Sequence, residues 1–400
     1  MQALNFMKIH INQHSYSAEQ ILAISSFSDS YEDKTLEFCK NWLLGNQTFV
    51  IHTSGSTGTP KPISITRSQM EASAKMTAQK LQLFEGTKAL ICLNTAYIAG
   101  KMMLVRGMLH GWEMYVIEAN NLPFNDLHVE LDFAALVPTQ LQQTLEQTCN
   151  LSGGSKPFDR CLALLNTMKA IIVGGAAISV YLENLIKTYL TVPIYSTYGM
   201  TETVSHIALK KMPSKDEPNK HTDNTNNYLE NNYFSVMPNI EIDIDTHNCL
   251  KIKGLVTNQE WLQTNDLVEL LRNETHNVLG FNLLGRVDNV VNSGGLKIQI
   301  EKVERQIEEI FTTWNNEKQF QKRFIVGGLA DDFWGEKLVL LIEDNTWELQ
   351  QIHDLQNLLY AKLAKYEIPK NIIFIDKFIE TETAKINRKA SLKMAEKLAK

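Results

Sequence analysis

Five short apolar runs, at residues 89–93, 114–117, 134–137, 170–173 and 193–196, recur between segments of helical spacing. Short continuous apolar runs separated by helices are the pattern of strands covered on both faces, so the chain is expected to build an α/β core. Upstream, residues 6–11 alternate apolar and polar as a strand does, and Leu36, Cys39 and Leu43, with Phe38 and Trp42 beside them, mark an amphipathic helix. Residues 48–52 read as a strand that runs into a Gly/Ser/Thr-rich loop. A helix follows, started by the capping box Thr66/Gln69 and carrying Met70, Ala74, Ala78 and Leu81 on one face.

From about Arg286 the pattern restarts. Residues 301–311 form a helix with Val303, Ile307, Ile310 and Phe311 on one side. Strands are expected at 324–326, 338–342 and 372–375, and Ile352, Leu355 and Leu359 mark another helix. The chain thus divides into a large α/β domain, residues 1–285, and a small α+β domain, residues 286–400. Residues 211–232 are polar and hold six Asn, which reads as a mobile surface loop.

Composition narrows the function. With 39 basic and 45 acidic residues the net charge is −6, so nothing biases the chain toward nucleic acid or an anionic membrane. Five cysteines, an odd number with no CxxC spacing, argue against a disulfide framework and a thiolate metal site. No apolar run approaches the ~18 residues of a membrane span, and residues 1–17 show no signal-peptide pattern. A cytoplasmic protein with reduced thiols is expected.

The loop Thr53-Ser-Gly-Ser-Thr-Gly-Thr-Pro-Lys61 is the most informative segment. Its glycines permit tight turns, its amides and hydroxyls can converge on phosphate oxygens, and Lys61 adds positive charge. It is neither a Walker A loop nor a GxGxxG fingerprint. Four further segments stand out in order: Tyr198-Gly-Met-Thr-Glu-Thr203, Thr264-Asn-Asp266, Gly285-Arg-Val-Asp288 with Ser293-Gly-Gly-Leu-Lys297 and Glu304, and Thr381-Glu-Thr-Ala-Lys385-Ile-Asn-Arg388.

Together these five segments resemble the ordered signatures of the adenylate-forming superfamily: acyl-CoA ligases, luciferases and peptide-synthetase adenylation domains. The resemblance implies a large ATP- and acyl-binding domain and a small mobile domain that turns about Asp288. It implies ATP, Mg²⁺, coenzyme A and a small carboxylic acid as ligands. Thr53, Ser54, Gly55, Ser56, Thr57, Gly58 and Lys61 would cradle phosphate. Gly174, Gly175, Ala176, Tyr198 and Gly199 would line the adenine. Thr201 would bond the α-phosphate and Glu202 would hold Mg²⁺, a hard cation served by one carboxylate plus phosphate oxygens. Asp266 can accept both ribose hydroxyls, and Arg286 reaches the same sugar. Lys385 would offset charge during adenylation, and Gly294 and Gly295 would replace it for the coenzyme A step.

Within Tyr97-Ile-Ala-Gly-Lys-Met-Met-Leu-Val-Arg106 the chain resembles the acyl-pocket segment of compact superfamily members, the 2-succinylbenzoate–CoA ligases of menaquinone synthesis. Tyr97, Lys101 and Arg106 are then acyl-site candidates. Lys101 and Arg106 stand about 140° apart on a helix, so one of them faces the substrate, and the bidentate fork of arginine favours Arg106. The alternative is that both are surface charges or pair with an acid such as Glu113. Another aryl- or acyl-CoA ligase is the alternative. A non-catalytic nucleotide or acyl-AMP sensor would be expected to lose Lys385 or Glu202, and both are present.

The chain departs from the family pattern at Ala384 and Asn265, each where glycine is usual, and at Tyr97, where many relatives carry histidine. The phosphate loop begins at residue 53, where relatives carry about a domain's worth of chain before it, so a shortened N-terminal subdomain is expected. The ten histidines show no paired ligand spacing, and no metal other than Mg²⁺ is expected.

Overall fold

The computed structural model describes residues 6–52, 62–150, 157–216, 233–314, 322–380 and 386–398. Among these, thirteen strands form one sheet. Its parallel part is ordered Lys8–Ile11, Glu113–Val116, Lys88–Ile91, Phe133–Leu136, Ala170–Val173, Ile194–Gly199. Strands Phe133–Leu136 and Ala170–Val173 bury every residue. Alternation along them supplies two core layers: Phe133, Ala135, Ala170 and Ile172 face one, with Ala134, Leu136, Ile171 and Val173 in the other. This is the α/β core that the apolar runs imply.

The run at 193–196 begins a longer strand, because its polar half pairs antiparallel with His206–Lys211. That strand opens an antiparallel wing that apolar runs did not reveal: Phe234–Val236, Val278–Arg286, Leu262–Arg272, Cys249–Gly254 and Ile240–Ile244. Lys211, read as loop, closes a strand, and residues 217–232 lie outside the described residues. Strand Pro62–Thr66 is likewise additional. It pairs with Thr48–His52 in a register that sets His52 opposite Pro62, so the two strands that flank residues 53–61 in the sequence are hydrogen-bonded partners. Helix Arg67–Leu81 carries the expected capping box and buries Met70, Ala74, Ala78 and Leu81.

Strands from Val290 onward form a second, five-stranded sheet, with Asn371–Ile375 parallel to Gly335–Glu343. Helix Ile300–Trp314 buries Ile300, Val303, Ile307, Ile310 and Phe311 against it. The same helix reaches back to helix Val180–Tyr189, where Arg305 forks onto Glu183 at 3.0 and 2.5 Å.

Candidate active site

The phosphate-loop candidates Thr53, Ser54, Gly55, Ser56, Thr57, Gly58 and Lys61 lie outside the described residues, as does Lys385. Their frames are described. The loop springs from the hairpin above. Lys385 precedes a bridge between Ile386 and Glu380, and helix Arg388–Leu398 follows. Arg388 forks onto Glu304 at 2.6 and 2.9 Å and donates to the Val326 carbonyl at 2.5 Å. Two signature residues 84 positions apart thus meet, and their paired charge-assisted bonds tie the start of helix Arg388–Leu398 to helix Ile300–Trp314.

Ile194–Gly199 delivers Tyr198 to the sheet's C-terminal side. Its ring stands edge-on to Phe281 at 5.0 Å and tilted to Phe234 at 5.9 Å, and its hydroxyl donates to Asp266 Oδ2 at 2.5 Å. Burial, then the Asp266 charge, push the phenol well above its usual value. Asp266 is 8 % exposed and accepts Arg286 Nη1 on Oδ1 at 3.0 Å. Arg286 also donates through Nε and Nη2 to Asp288 at 3.0 and 3.3 Å. Burial works to raise the Asp288 carboxyl, but the Arg286 hydrogen bonds and charge hold it below the usual carboxylate range. The ribose and hinge candidates are therefore one network. Each Asp266 oxygen spends one lone pair on it, and a carboxylate oxygen has a second with which it can accept another hydrogen bond.

Glycines make close approaches around this network. A Cβ on Gly174 would stand 2.2 Å from Thr197 Oγ1, so Gly174 lies tight beside the strand carrying Tyr198, while Gly175, with φ +85°, and Ala176 are exposed. A Cβ on Gly199 would stand 2.4 Å from the Ser205 carbonyl oxygen and 2.5 Å from His206 Cα. We predict that Gly199→Ala forces these strands apart and costs about 1–3 kcal/mol, read as a lowered melting temperature. An unchanged melt would show that the backbone gives way freely. Gly294 and Gly295, with φ of +60° and +81°, form the two-residue turn between Val290–Ser293 and Leu296–Gln299. A turn of that handedness is the glycine-demanding hairpin kind.

Thr201 opens a short 3₁₀ turn, Thr201–Thr203, and Glu202 is exposed with no hydrogen bond or ion pair among the described residues. A solvent-facing, uncommitted carboxylate beside a hydroxyl fits Mg²⁺, which takes its remaining ligands from phosphates and water. The turn ends on Val204, whose φ of +66° is strained for a β-branched residue. With ψ −53° and the Ser205 N–H bonded to the Thr203 carbonyl at 2.7 Å, Val204 is the centre of a γ-turn of the rare hand.

The acyl-site candidates lie on helix Ile98–His110. Tyr97 is its N-cap residue and is 44 % exposed. Lys101 folds back to the Ala96 carbonyl at 2.6 Å and sits 5.5 Å from the Phe38 ring, away from Arg106. Glu113 engages His10 at 2.9 Å, so it does not pair with Arg106. Arg106 is 2 % exposed, which departs from an open fork presented to a ligand. Its Nη2 donates to Ser205 Oγ at 3.0 Å, its Nη1 lies 3.6 Å from Met103 Sδ, and its buried Nε has no partner among the described residues. Burial lowers its pKa to about 10. Burial, then the Arg106 charge, hold the His206 imidazole far below its usual value, so it is neutral.

Sequence patterning missed the groups around Arg106. Ser73 and Thr77 are fully buried on helix Arg67–Leu81, and Ser73 Oγ lies 2.6 Å from Ser205 Oγ. Thr77 Oγ1 donates to the Ser73 carbonyl and meets His206 Nε2, both at 3.1 Å. Their signal was present as hydroxyls inside an otherwise apolar helical face.

A family model described as AMP-binding enzyme matches residues 12–246. The chain is 24 % identical over 398 residues to the 2-succinylbenzoate–CoA ligase of Listeria monocytogenes, covering 92 % of this chain and 77 % of that one. Against the ligase of the same name from Staphylococcus epidermidis it is 25 % identical over 363 residues, covering 85 % and 68 %. Among solved structures, the acyl-CoA synthetase (AMP-forming)/AMP-acid ligase II-like protein of Dyadobacter fermentans is 37 % identical, with TM-score 0.57 over 95 % of this chain and 99 % of that one. The o-succinylbenzoate CoA synthetase of Bacillus subtilis, bound to its acyl-adenylate intermediate, shares the fold at TM-score 0.64 and 21 % identity, over 85 % and 68 % of the chains. With the five ordered segments, the parallel core and the Tyr198–Asp266–Arg286 network, these similarities settle the family: the chain belongs to the AMP-binding enzymes, the adenylate-forming family.

Proposed function

We propose that the acid this enzyme activates is 2-succinylbenzoate, in menaquinone biosynthesis. In class the enzyme is an AMP-forming acid–CoA ligase. One observation carries the choice of acid: Arg106 is a buried cation whose neighbours, Ser205, Ser73, Met103 and a neutral His206, carry no negative charge. No carboxylate pairs with it among the described residues. A buried charge without a counter-ion is costly. An acid with two carboxylates, only one of which is consumed, brings that counter-ion. The relatives named for this substrate support the same choice.

In the first half-reaction a carboxylate oxygen attacks the α-phosphorus of ATP, and the bond to pyrophosphate breaks. Tyr198, Gly174, Gly175 and Ala176 seat the adenine, Asp266 takes the ribose, and Thr201 meets the α-phosphate. Glu202 would hold Mg²⁺, which would supply charge neutralisation at the phosphates. Lys385 adds positive charge where it grows. In the second half-reaction the coenzyme A thiol gives up its proton, its sulfur attacks the acyl carbonyl, and AMP leaves. The small domain, residues 286–400, turns about Asp288 between the two and brings Gly294 and Gly295 to the cleft. No helix among the described residues is long and apolar enough to cross a membrane, in keeping with a cytoplasmic enzyme.

Proline at position 288 fixes φ and removes the carboxylate that grips Arg286. We predict that Asp288→Pro slows thioester formation several-fold more than adenylation in single-turnover kinetics. Equal slowing of both steps, or none, would remove Asp288 as the pivot. The substrate itself is tested by comparing 2-succinylbenzoate with monocarboxylates as acid substrates. A preference for plain benzoate or a fatty acid would leave a ligase for another acid.

A further inference from the structure

Helix Ile300–Trp314 turns its apolar side to its own sheet, and what it offers helix Val180–Tyr189 of the large domain is charge. Arg305 holds Glu183 through both Nη atoms, at 3.0 and 2.5 Å. One turn along, Glu308 accepts a hydrogen bond from the Val180 N–H, at the positive end of the same helix. We propose that the Arg305–Glu183 pair is a clamp that holds the small domain in the position the structure shows, so that both are positioning residues that set the balance between the two half-reactions. The assignment rests on the turn of the small domain proposed above.

The contact is made to come apart. Domains that meet through a small polar interface move against each other, whereas a large apolar interface would fix them. Beside the clamp the two helices leave a cleft of about 280 Å³, with Val180 and Asn184 on one side and Gln306 and Glu309 on the other. Each charge of the clamp also has a second partner within its own domain. Arg305 Nε lies 4.0 Å from Glu309 Oε1, one turn along the helix. Burial lowers the pKa of Lys210, on strand His206–Lys211, and the Glu183 charge works against that, so Lys210 shares Glu183 with Arg305. Opening the clamp therefore strands neither charge, and a buried or half-buried charge is costly only when its partner is lost. While the fork lasts, its two parallel bonds define one orientation of the small domain.

Weakening such a clamp shifts the balance between two positions, so one half-reaction gains on the other. Pyrophosphate release, and thioester formation from supplied acyl-adenylate, are measured separately with the acid that wild type turns over best, which makes the result independent of that acid's identity. A partly exposed ion pair is worth about two- to fivefold in such a balance. Arg305→Gln and Glu183→Gln should each shift the ratio of the two rates by that factor, in the same direction. Arg305→Glu, which sets like charges together, should shift it further. Combining Arg305→Glu with Glu183→Arg should bring the ratio back toward wild type, a rescue that a merely structural role would not give. Joining Glu183→Cys to Arg305→Cys with a short bis-maleimide should block the half-reaction that the Gln variants favour, relative to the unlinked double variant. Thermal melts report folding. If the Gln variants leave the ratio unchanged, or lower both rates together, while the cross-link still blocks one step, the clamp is overturned and the turn of the small domain stands. If the cross-linked enzyme runs both steps at the rates of the unlinked variant, the turn itself fails and takes the clamp with it.

Discussion

Replacing Lys385 with alanine is expected to slow acyl-adenylate formation about 10²–10³-fold, the usual cost of losing one transition-state charge contact. Thioester formation from supplied acyl-adenylate should keep its rate, because no charge then builds at phosphorus. The physical basis is the change in charge distribution as the attacking carboxylate and the departing pyrophosphate share one phosphorus. Three residues downstream of Lys385, Arg388 forks onto Glu304 of helix Ile300–Trp314. Pyrophosphate release and thioester formation, measured separately, give the comparison. Equal losses in both would contradict a mechanism in which one cleft serves two steps with different groups.

Arg106→Met should abolish the preference for a dicarboxylate while making the free enzyme more stable. The two effects have one cause. In the free protein the guanidinium is buried among neutral groups, with Nε unpaired among the described residues, and a buried polar group left unpaired costs stability. A methionine of similar length relieves that, and replacing buried charge with packed apolar atoms is neutral or stabilising by about 1–4 kcal/mol. With the dicarboxylate bound, the same charge is compensated, and losing it costs about 3–5 kcal/mol, or roughly 10²–10³-fold or more in kcat/KM. Arg106→Lys should recover part of this, since it keeps the charge and loses the fork. A melting temperature that falls on Arg106→Met, with no change in acid preference, would make Arg106 a structural residue.

Much of this organisation was legible in the sequence, and the exceptions have physical causes. The parallel strands showed because strands buried on both faces must be apolar throughout. The helix start at Thr66 showed because a capping box needs its two residues three apart. The antiparallel wing did not show, because Leu262–Arg272 buries the polar Thr264 and Asp266 where an apolar stripe would be read, and Val278–Arg286 alternates irregularly, with bulges between the two. Strand Pro62–Thr66 was hidden by its leading proline and the glycine-rich loop before it. The placement of Arg106 on a helix, apart from Lys101, followed from spacing, but its burial did not, since an arginine is ordinarily a surface residue. Ser73, Thr77, Ser205 and His206 come from two elements and meet only through tertiary packing. No local period marks such a cluster. The sharp turn at Val204 is equally silent, because valine is a residue that normally avoids positive φ.

The central claim is tested most directly by incubating the enzyme with ATP, Mg²⁺, coenzyme A and a panel of carboxylic acids, and identifying thioesters by mass spectrometry alongside pyrophosphate release. The account predicts one dominant product, the coenzyme A thioester of 2-succinylbenzoate, with AMP and pyrophosphate formed in step with it. A dominant thioester of a monocarboxylate such as benzoate or a fatty acid, or no acid-dependent pyrophosphate from any member of the panel, would contradict it.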